Sequence, residues 1–262
     1  MIGQKIYTID ASGHKRVLLE VEGQPNGMCF LPDGSLIYSS MFDAKLHRYH
    51  DGTSEQYADL SSFMTGYCGD MVIDAHGRIF IDDTGARVLH GENPCPGRLL
   101  VVDSDRSVSV AAEGLVFPNG VAINREGTSL FISETFAYCL DQFDIEKSGK
   151  LSNRRKIWDT HDYASVSGKE SGRFCGVDGI CMDDEDGMWL SMLGYERFIR
   201  KNAKGEITHQ IEVNGHATAC TLGGEDGTTL YLVTNWVPDG CDLFTAMVER
   251  QTKCTISEVD VS

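Results

Sequence analysis

The sequence predicts an all-β propeller, and three observations carry the prediction. A short segment recurs five times: a small polar residue, four or five mostly apolar positions, an acidic glycine-bearing turn, and a second hydrophobic strand. The copies read "NGMCFLPDGSLIYSS" from Asn26, "GDMVIDAHGRIFIDD" from Gly69, "NGVAINREGTSLFISE" from Asn119, "DGICMDDEDGMWLSM" from Asp178 and "TACTLGGEDGTTLYLVT" from Thr218. Their starts lie 43, 50, 59 and 40 residues apart, the period of a four-stranded blade. Many of the 28 glycines fall in turns at those intervals, as a fold built of short hairpins needs. With 41% hydrophobic residues in 262, residues 1–262 are expected to form one domain around a large core.

Alternation of apolar and polar residues extends each copy beyond its second strand. "KLHRY" from Lys45 and "EQYADL" from Glu55 continue the first copy; "RLLVVD" from Arg98 and "VSVAA" from Val108 continue the second. "CLDQFDI" from Cys139 and "RRKIWD" from Arg154 belong to the third, "RFIRKN" from Arg197 and "ITHQIEV" from Ile207 to the fourth, and "CTISEVDV" from Cys254 to the fifth. This gives five blades of four strands. Ahead of them, "KIYTID" and "KRVLLEV" read as the third and fourth strands of a further, truncated blade.

Strands in a blade alternate in direction, so the connections between first and second strands share one face, and these are short. The opposite face takes the two longest loops, Thr84 to Gly97 and Thr160 to Val177, and long loops around a channel mouth are where a propeller keeps its site. The first residues of the inner strands (Asn26, Gly69, Asp70, Asn119, Asp178) and the last of the second strands (Asp82, Asp83, Glu134, Asn235) are expected at that mouth. Such a ring of carboxylates and amides suits a hard cation, which takes oxygen ligands. His216, just before the last inner strand, is a candidate proton shuttle or substrate contact. Glu134 is a candidate substrate contact beside Asn119, and Asp70 a third.

With 23 basic against 39 acidic residues, the net charge of −16 repels a phosphate backbone, so nucleic acid is excluded as a partner. No apolar run approaches 18 residues, and the first residues alternate as a strand does, so neither a membrane span nor a leader is expected. Nine cysteines without a CxxC pair, four of them inside strand patterns (Cys29, Cys139, Cys181, Cys220), point to reduced thiols and a cytoplasmic compartment. Oligomeric state leaves no trace in the pattern.

At "AEGLVFPNGVAI" with "LFISETFAYCLDQFDI", then "GVDGICMDDEDGMWL" and "ACTLGGEDGTTLYLV", the chain resembles the gluconolactonase and senescence marker protein (regucalcin) family, with similarity from about Lys5 to Val261. The resemblance implies a six-bladed propeller, a divalent metal on the central axis, calcium first and zinc as the alternative, and hydrolysis of small lactones. Asn119 of "FPNG" and Asp178 of "VDGI" match two metal ligands of the family, and Asp178 also matches the base that activates water. Two departures stand out. The family's "EGP" segment, which supplies a glutamate ligand, has no counterpart here, and "GD" at Gly69 replaces the family's frequent "ND". The six-bladed layout with a truncated first blade is therefore the expected architecture, and a closed five-bladed ring the alternative. A metal-dependent lactone hydrolase is the expected function. The alternatives are a metal-free member using Asp70, Glu134 or His216 as acid and base in an isomerisation or cyclisation, and a non-catalytic propeller that binds a small molecule.

Overall fold

The computed structural model describes residues 3–166 and 174–262. Of the twenty-one strands among them, nineteen build five blades in a propeller ring, and a two-stranded hairpin, β1 (Lys5–Ile9) and β2 (Lys15–Glu20), lies beside the ring. The first blade runs outward from β3 (Pro25–Phe30) through β4 (Leu36–Ser40) and β5 (Lys45–His50) to β6 (Thr53–Asp59). The second comprises β7 (Cys68–Ile73), β8 (Ile79–Asp83), β9 (Gly97–Val102) and β10 (Val108–Leu115); the third, β11 (Pro118–Ile123), β12 (Ser129–Glu134), β13 (Cys139–Ile145) and β14 (Leu151–Asp159). A short helix α1 (His161–Val166) leads toward the fourth blade, β15 (Val177–Met182), β16 (Met188–Met192), β17 (Arg197–Lys201) and β18 (Ile207–Glu212). Residues 167–173 of the long loop expected there lie outside the described residues.

The fifth blade corrects the count of four strands per blade. It has three: β19 (His216–Gly223), β20 (Thr229–Trp236) and β21 (Lys253–Asp260). Between the last two the chain makes a helix, α2 (Leu243–Val248). Local chemistry accounts for it, because Pro238 and Gly240 end the strand and Asp242 caps the helix, accepting the Thr245 N–H at 3.0 Å.

The core lies between blade faces. Ile37 and Leu46 of the first blade pack on Ile79 and Ile81 of the second, all four fully buried, and removing one such side chain typically costs about 2–5 kcal/mol. The inner face of the first blade is different. Cys29 of β3 packs toward the second blade, whereas Met28 and Phe30, pointing the other way, are 50% and 66% exposed, with no further inner strand among the described residues to cover that side. The hairpin covers instead the neighbouring part of the blade, with Ile6, Leu18 and Leu19 on Leu36 and Tyr38. The structure thus has five blades in its ring, as the five-bladed alternative has it and not the six-bladed layout with a truncated first blade; the two strands assigned to that blade pair only with each other, as a hairpin.

Every inner strand carries a β-bulge where its repeat begins. Pairing slips between Pro25 and Met28, Cys68 and Met71, Pro118 and Val121, Val177 and Ile180, and Ala217 and Ala219. A bulge bends the strand and re-aims a side chain. The glycine after the polar residue lets adjacent inner strands approach: a Cβ on Gly27 would sit 2.4 Å from the Gly69 carbonyl oxygen, and one on Gly120 would sit 2.5 Å from that of Asp178. No helix among the described residues is long and apolar enough to cross a membrane, and all nine cysteines are free.

Candidate functional site

The bulges turn Asn26, Asp70, Asn119, Asp178 and Thr218 toward one cavity of about 270 Å³ on the ring axis, whose wall also includes Asp82. Its cover comes from two connections. Val88 and Leu89, in a 3-10 turn at Val88–His90, contribute one side; Leu243, Phe244 and Met247 of α2 contribute the other. An acidic floor therefore lies under an apolar lid. A separate cavity of about 340 Å³ between the third and fourth blades, around Trp158 and Lys201, gathers no comparable set of acids, and Lys201 sits over the Trp158 ring.

The floor is electrostatically unbalanced. No lysine or arginine lines the cavity among the described residues. Burial pushes the Asp70 carboxyl up to about 6. It pushes Asp178 well above the carboxylate range, helped by the negative charge of Asp70 and opposed by the Asn119 amide. Asp82 is displaced the same way by burial and then by Asp70, although its Oδ2 accepts the Asp70 N–H at 2.8 Å. Its Oδ1 is buried and has no hydrogen-bond partner among the described residues. Asn119 donates from Nδ2 to Thr135 Oγ1 at 3.2 Å.

These residues fit the divalent cation that the resemblance implies. The donors are all hard oxygens, gathered with mutual repulsion and no counter-charge, which is the environment a hard cation relieves. A different trio of possible ligands, Glu134, Cys139 and Asp141, has its oxygens and sulfur within 4.8 Å of one another. There one guanidinium already engages both carboxylates: Arg154 donates from Nη2 to Glu134 Oε1 at 2.6 Å and from Nε to Asp141 Oδ2 at 2.5 Å.

The structure brings Asp70, Asn119 and Asp178 together and does not bring Glu134 to the cavity. Glu134 is 2% exposed and spent on Arg154 and on the Val116 N–H. Asp83 has the same role in the second blade, accepting from the Gly66 N–H at 2.7 Å and the Thr65 N–H at 2.9 Å. Both residues pin the loop entering their blade's inner strand. His216 is half-buried outside the lining, with Nδ1 3.0 Å from the Leu193 carbonyl oxygen. The sequence reading missed the lid; Asp242 before a run with apolar residues at 243, 244, 246 and 247 was its signal.

Residues 1–235 match the model of the family described as SMP-30/Gluconolactonase/LRE-like region. The chain is 27% identical over 157 residues to lactonase drp35 of Staphylococcus aureus (strain MW2), covering 60% of this chain and 45% of that protein. It is 26% identical over 150 residues to regucalcin of Gallus gallus, covering 56% and 46%. The chain thus aligns with about half the length of these curated relatives. In fold it is similar to a calcium-binding regucalcin from Agrobacterium tumefaciens, with a TM-score of 0.77, 18% identity, and coverage of 98% of this chain and 83% of the other. The extent of the family match, across nearly the whole propeller, places the chain in the SMP-30/gluconolactonase/LRE-like family.

Proposed function

We propose that the protein hydrolyses small lactones with a divalent cation, calcium first and zinc as the alternative, at the axial cavity. The observation carrying this is the convergence of Asp70, Asn119 and Asp178 on a floor without a basic residue. The lactonase among its relatives supports the reaction class. Nine free cysteines support a reducing, cytoplasmic setting.

Asn119 and Asp178 would hold the cation, with Asp70 beside them; a bound divalent ion supplies Lewis-acid polarisation of the ester carbonyl. Other tasks fall to the chain's own groups. Asp178, its proton affinity raised by burial, takes the proton of the attacking water. Asp82 is pushed toward its protonated form, and together with Asp70 it keeps a proton available for the alkoxide released on ring opening. Phe244 and Met247 limit the entry of water around the ring. Metal-free acid–base chemistry through Glu134 is disfavoured by its commitment to Arg154.

The test is acid release from a panel of γ- and δ-lactones followed with a pH indicator. Chelated protein should be inactive, calcium or zinc should restore turnover, and Asp178→Asn should remain folded and inactive. Turnover indifferent to chelation would refute the metal dependence. Absence of turnover on every lactone with each metal would refute the hydrolase.

A further inference from the structure

A second cavity, of about 450 Å³, adjoins the axial one. It lies where β1 faces the start of β3, the end of β20 and the start of β21, on the side of the ring beside the hairpin. The two cavities share Asn26, Met41, Leu89 and Met247 in their walls, so they lie side by side, and these four side chains form the boundary that a chain reaching from one to the other passes. Their volumes together reach the range typical of small-molecule sites, more than an unsubstituted lactone ring fills.

Asn235 marks this side cavity as built for a ligand. It lines the cavity, is 0% exposed, and neither Oδ1 nor Nδ2 has a hydrogen-bond partner among the described residues. Its backbone faces His216 across the β19–β20 ladder, the same register at which Asp83 faces Cys68 and Glu134 faces Pro118. At those two positions the side chain is engaged within its own blade, Asp83 by the Thr65 and Gly66 N–H groups of the entry loop and Glu134 by the Val116 N–H of its entry loop and by Arg154. At Asn235 an amide able to donate and accept is buried with both functions unspent, an arrangement that costs about 1–3 kcal/mol unless something occupies it. The charge in the wall is also one-sided. Lys5 is held by Glu20 at 2.6 Å, while Arg250, just past α2, has no ion-pair partner among the described residues.

We infer that this side cavity is a substrate subsite for an exocyclic chain on the lactone ring. Asn235 and Arg250 both bind the carboxylate at the end of that chain, Asn235 by a hydrogen bond from Nδ2 and Arg250 by an ion pair. The inference rests on the lactone reading of the axial cavity and adds the substrate class: lactones with an acidic side chain. Tyr7 and Phe42 supply the apolar walls for the methylenes between the ring and the carboxylate.

Binding to the full chain tests the subsite independently of turnover. The probes are the ring-opened acids 4-hydroxyheptanoate and 4-hydroxyheptanedioate, which differ only in the terminal carboxylate, measured by titration calorimetry in calcium. The diacid should bind about tenfold tighter, the worth of one charge-assisted hydrogen bond. Arg250→Ala should erase that ratio. Asn235→Ala should weaken the diacid by a similar factor while leaving the melting temperature equal or higher, since it deletes an unsatisfied buried group. Equal affinity for the two acids, a ratio that survives Arg250→Ala, or a marked loss of melting temperature in Asn235→Ala would each overturn the subsite. Lactone turnover bears on the axial reading alone: a retained diacid preference without turnover would sink the hydrolase and leave the subsite standing.

Discussion

Asp70 should make the cation-free protein less stable as pH rises, and replacing it should relieve that cost. Its carboxyl is raised from 3.8 to about 6 in the folded state by burial, so the native protein binds the proton more tightly than the unfolded chain does. Stability from this group is therefore complete below pH 3.8, falls as pH rises through the interval to about 6, and is level above it. A shift of about two units at 1.36 kcal/mol each amounts to about 3 kcal/mol. That is an upper bound, because Asp70 keeps part of its surface in contact with solvent. Asp70→Asn keeps the shape and deletes the charge. Asp82 and Asp178, also raised by its charge, should gain as well. The assay is urea unfolding in chelator at pH 5 and pH 8. The variant should exceed wild type by about 1–3 kcal/mol at pH 8 and by less at pH 5, and added calcium should stabilise wild type more than the variant. Equal or lower stability of Asp70→Asn at pH 8 would refute the claim that unbalanced charge is stored on the axis.

Three further outcomes follow from the packing and hydrogen bonds. Gly120→Ala places a methyl 2.5 Å from the Asp178 carbonyl oxygen and 2.6 Å from the Ile180 nitrogen; urea unfolding should show a loss of about 1–3 kcal/mol, with lactonase activity lost as Asp178 is displaced. Arg154→Met strands Glu134 and Asp141 without their shared cation and should cost about 1–3 kcal/mol, seen as a lower melting temperature, whereas Glu134→Gln should leave KM for a neutral lactone unchanged. Asp242→Ala removes the α2 cap, at about 1 kcal/mol of helix stability; hydrogen exchange of the α2 amides should accelerate and KM should rise as the lid loosens.

The scaffold was legible because one pattern encodes both the strand and the bulge. The polar residue and glycine of "NG" and "DG" are where the inner-strand register slips, so reading the repeat also located Asn119 and Asp178. Glu134 was misplaced by one residue's worth of pleat. Successive strand residues face opposite sides, so Asp82 and Asp83 cannot both face the axis. The cavity takes Asp82 and Thr84, and Asp83 turns to the loop; Glu134 occupies the position of Asp83, and Thr135 lines the cavity as Thr84 does. The lid was hidden for another reason. The count of four strands per blade named no element for residues 237–252, where Pro238, Gly240 and the Asp242 cap locally favour a helix. Asn235 could not be singled out from the sequence, because its significance lies in partners that it lacks.

Five bulges at equivalent places make the axis a circle of interchangeable sockets. What differs from blade to blade is the side chain held in each: an amide at Asn26 and Asn119, a carboxylate at Asp70 and Asp178, a hydroxyl at Thr218. The backbone distortion that aims each one is supplied by the strand itself, so a change of side chain at one socket leaves the other four in place. Chemistry on this ring can therefore be rewritten one blade at a time, and Thr218, the hydroxyl socket beside Asp178, is the natural place to write in another carboxylate.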